Sequence, residues 1–188
     1  MIAETIQFIC DELNDYYKFD PPFVAMSNVA HLDDPDSKIS KENIVATLVN
    51  IEEEKTLKNG SPYVVSDDKL QKRNPTIFLN LYVLFTCAHN SHSGALKNIA
   101  KVIKFFQSKS AFTKENSPNT TFPSDALVNK IILDLFTLNF EQINHLWGIL
   151  GGKYMPSVLY KLRIVAIQES ELKDTPEIKE IEANANLN

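Results

Sequence analysis

Two histidines are the residues whose types and spacing come nearest to chemistry. His89 and His92 stand three apart in His-Asn-Ser-His, at what reads as a strand-to-helix junction. Imidazoles so spaced can share a metal ion, and Asp33, Asp34 and Asp36 could add carboxylates, which together would make a small metal-dependent hydrolase. A zinc centre needs a full set of defined ligands, and two histidines without a defined third are a weak signal. Exposed loop histidines are the simpler reading. His31 and His145 are isolated, and His145 belongs to the polar side of its helix. Cys10 and Cys87 lie within apolar patterns and read as reduced core thiols. No glycine-rich phosphate loop occurs, because Gly151-Gly152 follows a helix instead of opening one. No Gly-x-Ser-x-Gly elbow is present. The expectation is a protein that is not an enzyme and needs neither cofactor nor metal.

Residues suited to contact are easier to find than residues suited to reaction. From Ser157 the apolar pattern has a period of two: Val158, Tyr160, Leu162, Ile164 and Ala166 share one face, which leaves Lys161 and Arg163 on the other. Lys161 and Arg163 are therefore candidates for a partner surface. A second basic group, Lys55, Lys58, Lys69, Lys72 and Arg73, lies in the long irregular stretch 52–75. A stretch of that length is a contact loop, a mobile surface loop or a hidden hairpin, and Pro62-Tyr63-Val64-Val65 suggests the hairpin. Trp147, Tyr154 and Tyr160 could anchor an interface, but their phases favour core packing.

The elements that position these residues follow from periodicity. Ile2, Ile6, Ile9, Cys10, Leu13 and Tyr17 form a helical stripe that Pro21-Pro22 ends. Residues 23–29 suggest a short edge strand, and 44–51, apolar on both faces, suggest a strand inside a sheet covered on both sides. Residues 76–88 form the longest strand, with Ile77, Leu79, Leu81, Val83, Phe85 and Cys87 on its apolar face. A helix over 93–107 presents Leu96, Ile99, Ala100, Ile103 and Phe106, widened by Val102 and Phe105. Residues 108–125 read as a polar loop and 130–138 as a strand. A last helix, capped by Asn139 with Gln142 completing a capping box, places Phe140, Ile143, Leu146, Trp147 and Leu150 on one face. Gly151-Gly152 stops it and Pro156 prevents its restart.

The chain of 188 residues suffices for one domain with its own core, and 44% hydrophobic with 23% charged residues is ordinary for a globular protein. Of the net charge of -5, residues 169–188 carry -4, from six acids and two lysines. The division expected is a single domain over 1–168 and an acidic, flexible tail over 169–188. A nearly neutral body argues against nucleic acid as partner. No apolar run is long enough to span a bilayer, and the N-terminus lacks a basic leader, so direct membrane insertion is not expected and a cytoplasmic, soluble protein is.

The run LWGILGGKYMPSVLYKLRIVAI at 146–167 resembles the end of the cap, or tail-terminator, domain of extracellular contractile injection systems. These are phage-tail-like particles of the antifeeding prophage and virulence cassette types. The matching residues are Leu146 and Trp147, Leu150 and Gly151, Tyr154, Pro156 and Ser157, then Tyr160, Lys161 and Arg163. FLNLYVLFT at 78–86 resembles the corresponding strand of that family, and the likeness extends over nearly all of 1–170. It implies a structural protein with a tail-terminator-like α+β fold that caps the distal end of the particle as a homo-hexameric ring. It further implies termination of tube and sheath polymerisation, joining of sheath to tube, and partnership with the inner tube protein, the sheath protein and itself. Assembly would take place in the cytoplasm before release of the particle. Larger members carry a further C-terminal domain, whose functions are not carried over. The alternative within the same particle is a tail-completion adaptor. From pattern and resemblance together the fold expected is α+β, a four- to five-stranded, mostly antiparallel or mixed sheet packed against three helices.

Overall fold

A computed structural model describes residues 1–19, 23–32, 43–57, 63–66, 69–74, 76–87, 89–123, 129–167 and 172–174. In chain order the elements are α1 (Ile2–Tyr17), β1 (Val24–Met26), a 3-10 turn (Val29–His31), β2 (Ile44–Glu53), a second 3-10 turn (Lys55–Leu57), β3 (Tyr63–Ser66), β4 (Lys69–Arg73) and β5 (Ile77–Cys87). Then come α2 (His92–Ser108), β6 (Ala111–Phe112), β7 (Ile131–Phe136), α3 (Phe140–Ile149), β8 (Ser157–Ile167) and β9 (Leu172–Asp174). The expected α+β class, mixed sheet and three helices are all found. The main sheet has six strands, ordered β1-β2-β5-β8-β7-β6, one more than the upper expectation. The strand not foreseen is β6, whose two residues, inside a polar loop, are too few for alternation to register. Among the described residues only β1 and β2 pair in parallel; the other neighbours are antiparallel. A second sheet, β3-β4-β9, confirms the hairpin suggested within 52–75. Its third strand comes from residues read as acidic tail.

The long central strand β5 shows why both faces of the sheet need cover. Leu81, Val83, Phe85 and Cys87 point to one side and meet Phe8, Ile9 and Leu13 of α1 and Val102, Phe105 and Phe106 of α2, all buried. Tyr160 and Leu162 of β8 extend this core, and Tyr160 packs 4.6 Å, centroid to centroid, from Phe106. Each large side chain so buried contributes roughly 1.5–3 kcal/mol. Leu84 and Leu159 point the other way, to Trp147 of α3. Between the two ends of β2 the register slips, from Leu48 opposite Val83 to Asn50 opposite Tyr82, so Val49 is a bulge.

Polar side chains fix the joints. Asn14, buried in α1, donates through Nδ2 to the Val24 carbonyl at 2.9 Å and accepts through Oδ1 from the amides of Phe23 and Val24. This locks β1 to the helix. Glu12 is buried against Lys109 Nζ at 2.5 Å, and that ammonium also donates to Ser117 Oγ and the Asn116 carbonyl. The pair ties α1 to the segment after α2. Cys10 and Cys87 are buried thiols outside any disulfide, as expected, and burial with the neighbouring Asp11 charge pushes Cys10 up to about 12.

The end of α3 is set as its residues suggest. The Asn139–Gln142 capping box is present, with Gln142 N donating to Asn139 Oδ1 at 2.8 Å and Asn139 N to Gln142 Oε1 at 2.9 Å. Gly151 and Gly152 adopt φ of 103° and 78°, and the Gly152 amide donates to the Trp147 carbonyl at 2.7 Å. Gly151→Ala and Gly152→Ala should each destabilise the fold by roughly 1–2 kcal/mol, the cost of a left-handed backbone for an L side chain. Gly148, within α3, has open space where a Cβ would stand. Gly148→Ala should therefore stabilise by roughly 0.5–1 kcal/mol. Urea-unfolding midpoints of the single variants check both signs.

Candidate assembly interface

The two faces of the sheet are unequally covered. Among the described residues one receives α1 and α2, of 16 and 17 residues, and the other only α3, of 10. The shortfall leaves apolar side chains in the open around α3. Phe140 is 92% exposed, Ile149 83%, Tyr154 65% and Leu135 56%. Phe140 departs from its expected place on the packed face of the helix. Spacing assigned it to the side of Ile143 and Trp147, but in the first turn it meets no covering element. Of that stripe Trp147 is buried, and Ile143, Leu146 and Leu150 pack around it.

Leu135, Ile149 and Tyr154, though not Phe140, line hollows here. One, about 510 Å³, is lined by Val49, Ile51, Tyr82, Phe136, Leu138 and Ile149 among others, and another, about 620 Å³, by Ile149 with Leu146, Leu150, Leu48 and Ile2 among others. The smallest, about 210 Å³, shares Phe136 with the first and adds Leu135, Trp147 and Tyr154. Tyr154 stacks edge-on against Trp147 at 5.8 Å, and Phe136 against Tyr82 at 5.0 Å. The result is one connected apolar face, in contrast to the scattered single hydrophobics that any surface carries.

Its rim is polar and internally neutralised. Lys161 donates to Glu52 Oε2 at 3.2 Å and lies 5.4 Å over the Tyr82 ring, while the Tyr82 hydroxyl donates to the same Glu52 oxygen at 2.6 Å. Those two hydrogen bonds, Tyr82 first, hold the Glu52 carboxyl below its usual range. Arg163 is half-exposed and paired with Asp134. Lys161 and Arg163 thus stand on the predicted face, next to the groove. Lys55 is exposed in the second 3-10 turn, Lys58 lies outside the described residues, and Lys69, Lys72 and Arg73 fall on β4, with Lys72 opposite Lys173 of β9. The structure does not bring the β4 cations and Lys161 onto one strand ladder. Of the family-signature residues, Trp147 and Tyr160 are core, Gly151 is the helix stop, and the carbonyl of Pro156 accepts from the Cys87 amide at 3.1 Å. Leu146 is half-buried beside Trp147, and Ser157 opens β8.

The histidine pair is built into a helix start. His89 Nδ1 accepts from the Ser91 amide at 2.9 Å, Ser91 caps α2, and a Cβ at Gly94 would come within 2.5 Å of the His89 ring. Glycine at 94 is what lets the ring fold over the cap. His92 is exposed in the first turn. Among the described residues no group of three or more His, Cys, Asp or Glu gathers, and Asp33, Asp34 and Asp36 lie outside them. Among the same residues no helix is long and apolar enough to cross a membrane.

The fold of this chain matches those of two solved structures. One solved structure, the PVC sheath/tube terminator of an extracellular contractile injection system in its extended state, superposes with a TM-score of 0.63 at 15% identity over 100% of the chain. Another, the tube-terminating cap of the anti-feeding prophage, gives 0.53 at 14% identity over 95%. The chain spans 65% and 59% of the lengths of those two proteins. By sequence it belongs to the Pvc16 N-terminal domain family, which it matches over residues 4–180. The resemblance carried by residues 78–86 and 146–167 is thereby borne out. No curated protein sequence matches the chain.

Glu54 supplies a test of the rim. Its carboxylate accepts from the Thr56 hydroxyl, from Asn80 Nδ2 at 3.1 Å and from the Thr56 amide at 3.2 Å, which holds it at about 2 against an ordinary 4.5. A carboxyl depressed in the folded state stabilises it above the unfolded value and stops doing so as pH falls through the folded value. Glu54→Gln should therefore flatten the acid side of the melting-temperature profile between about pH 4.5 and about 2, relative to the parent chain.

Proposed function

We propose that this chain is a non-enzymatic assembly protein that caps the distal end of a contractile injection particle, ending tube and sheath polymerisation and joining sheath to tube. The observation that carries the reading is membership of the Pvc16 N-terminal domain family over residues 4–180. The folds of a sheath/tube terminator and of a tube-terminating cap support it. Its partners are the inner tube protein, the sheath protein and further copies of itself in a homo-hexameric ring, put together in the cytoplasm. Residues 1–168 supply the capping domain, and of the acidic segment 169–188 the strand Leu172–Asp174 joins its second sheet.

The apolar face around α3 is the main contact within that assembly. Phe140, Ile149 and Tyr154 provide area that water disfavours, and burying it drives association without a catalytic group. Lys161 and Arg163 serve at its rim and set orientation. Because both already have intramolecular partners, they contribute less to affinity than to register. Lys55, Lys58, Lys69, Lys72 and Arg73 form a second contact region on the hairpin side. A ring built this way needs heterologous interfaces that close on themselves. It ends growth when its outer surface offers nothing for a further layer to match.

Cells lacking the gene should make overlong, frayed or unsheathed particles in electron micrographs. Particles of normal length and morphology would refute the capping role. Ile149→Asp and Phe140→Asp should reproduce the defect while leaving the melting temperature of the purified chain unchanged, because neither side chain is packed in it. Charge reversal at Lys161 and Arg163 should give a weaker defect of the same kind.

A further inference from the structure

The two helices on the first face of the sheet carry opposite charge. Helix α1 contains the acids Glu4, Asp11, Glu12 and Asp15 and neither lysine nor arginine, whereas α2 contains Lys97, Lys101 and Lys104 and no acid. Glu12 is buried against Lys109. Glu4 and Asp11 belong to the outer side of α1, seven residues and so about 10 Å apart along it. Lys97 and Lys104, both exposed, stand at the same spacing on the outer side of α2. Among the described residues no ion pair joins the two rows within one copy. Glu4 meets the Met1 amine at 3.6 Å, Asp11 accepts from Gln7 Nε2 at 2.8 Å, and neither Lys97 nor Lys104 has a charged partner.

Each row runs beside apolar surface. Leu96 and Ile103, which the sequence pattern assigns to the packed stripe of α2, are 50% and 39% exposed and flank Lys97 and Lys104. Glu4 and Asp11 border a hollow of about 380 Å³ whose walls include Ala3, Phe8, Met26 and Phe122. We infer that α2 of one copy docks on the amino-terminal half of α1 of the next. Leu96 and Ile103 enter the hollow, while Lys97 and Lys104 meet Glu4 and Asp11. The matched spacing and the opposite charges select this occupant, because exposed charges set register while the apolar side chains supply the driving force.

The packing within one copy leaves both surfaces to a neighbour. Where α1 and α2 touch, the Tyr17 hydroxyl donates to the Lys101 carbonyl at 2.9 Å, and the Tyr16 ring lies 5.0 Å from that of Phe105. At 3.6 residues per turn, Leu96 and Ile103 stand about 140–180° round the axis of α2 from Lys101 and Phe105, so they face away from α1 of their own copy. On α1 the touching residues belong to the last turn, about 18 Å along the axis from Glu4. Asn14 and the Glu12–Lys109 pair fix α1 in place, so its acidic side cannot turn to the free flank of α2 in the same copy. Because the two surfaces differ, the contact is heterologous and passes from copy to copy, as a closed ring needs. It rests on the self-association proposed above and uses another surface than the α3 face. The purified chain alone displays it, so its failure leaves the capping role untouched.

A photo-crosslinking amino acid placed at Leu96 of the full chain, in an equal mixture of unlabelled and 15N-labelled protein, reads the contact directly by mass spectrometry. Mixed-isotope crosslinks to residues 3–11 or 121–123 are expected. Their yield should fall by about tenfold in Glu4→Lys/Asp11→Lys alone and in Lys97→Glu/Lys104→Glu alone. It should return when the first variant is mixed with the second, because each then offers the other the opposite charge. Unchanged melting temperatures show that the variants remain folded. Crosslinks confined to one copy, crosslinks to another region, no crosslink, or yields indifferent to the charge reversals would each overturn the proposal.

Discussion

Everything in this fold answers to one constraint: the central strands β2, β5 and β8 carry apolar side chains on both faces of the sheet, so each face must be covered where those side chains stand. Leu81, Val83, Phe85 and Cys87 on one side and Leu84 with Leu159 on the other leave no side of the sheet that water could occupy without cost. Two long helices meet the demand on the first face. A single ten-residue helix meets it in part on the second, and what it leaves open is the surface on which the proposed assembly rests. The polar joints serve the same arrangement. Asn14 holds β1 to α1, and the Glu12–Lys109 pair holds α1 to the segment beyond α2, so the first face stays sealed. Among the described residues the second face has no equivalent clamp around α3, whose exit is set by the left-handed glycines 151 and 152.

Much of this architecture is legible in residue order. The stripe from Ile2 to Tyr17 and the alternation from Ser157 to Ile167 coincide with α1 and β8, because long amphipathic segments repeat their pattern often enough to be distinguished. The Asn139 cap and the paired glycines are local chemistry, which a sequence states outright. Short elements repeat nothing. Thus β6 is invisible among polar residues, and β9 lies in a segment whose acidity suggested solvent more than a sheet. Helix α2 shows a subtler limit. Periodicity places Leu96, Ile99 and Ile103 on one broad stripe, but the width of stripe that a sheet covers depends on the neighbours of the helix, and Leu96 and Ile103 fall outside it.

The candidate interface was legible only in outline. Lys161 and Arg163 were marked by strand phase and do stand beside the groove, yet their partners Glu52 and Asp134 come from distant strands, and no local pattern announces such pairing. Of the apolar residues of the face, Phe140 and Tyr154 have the phase of core residues, and no pattern singles out Ile149. Phe140 has the spacing of a packed residue, and its exposure follows from what is missing opposite it, which is a tertiary fact. A signal was nevertheless present, since a ten-residue helix cannot shield strands of eleven residues on the face it serves.

The incompletely covered face around α3 is where we place the contact between this protein and its assembly. Cryo-electron microscopy of the distal end of the intact particle tests it most directly, through the positions of Phe140, Ile149 and Tyr154. These three side chains should be buried against another subunit, with Lys161 and Arg163 at the edge of that contact. A ring in which all three face solvent, and the particle is engaged through other surfaces, would contradict it.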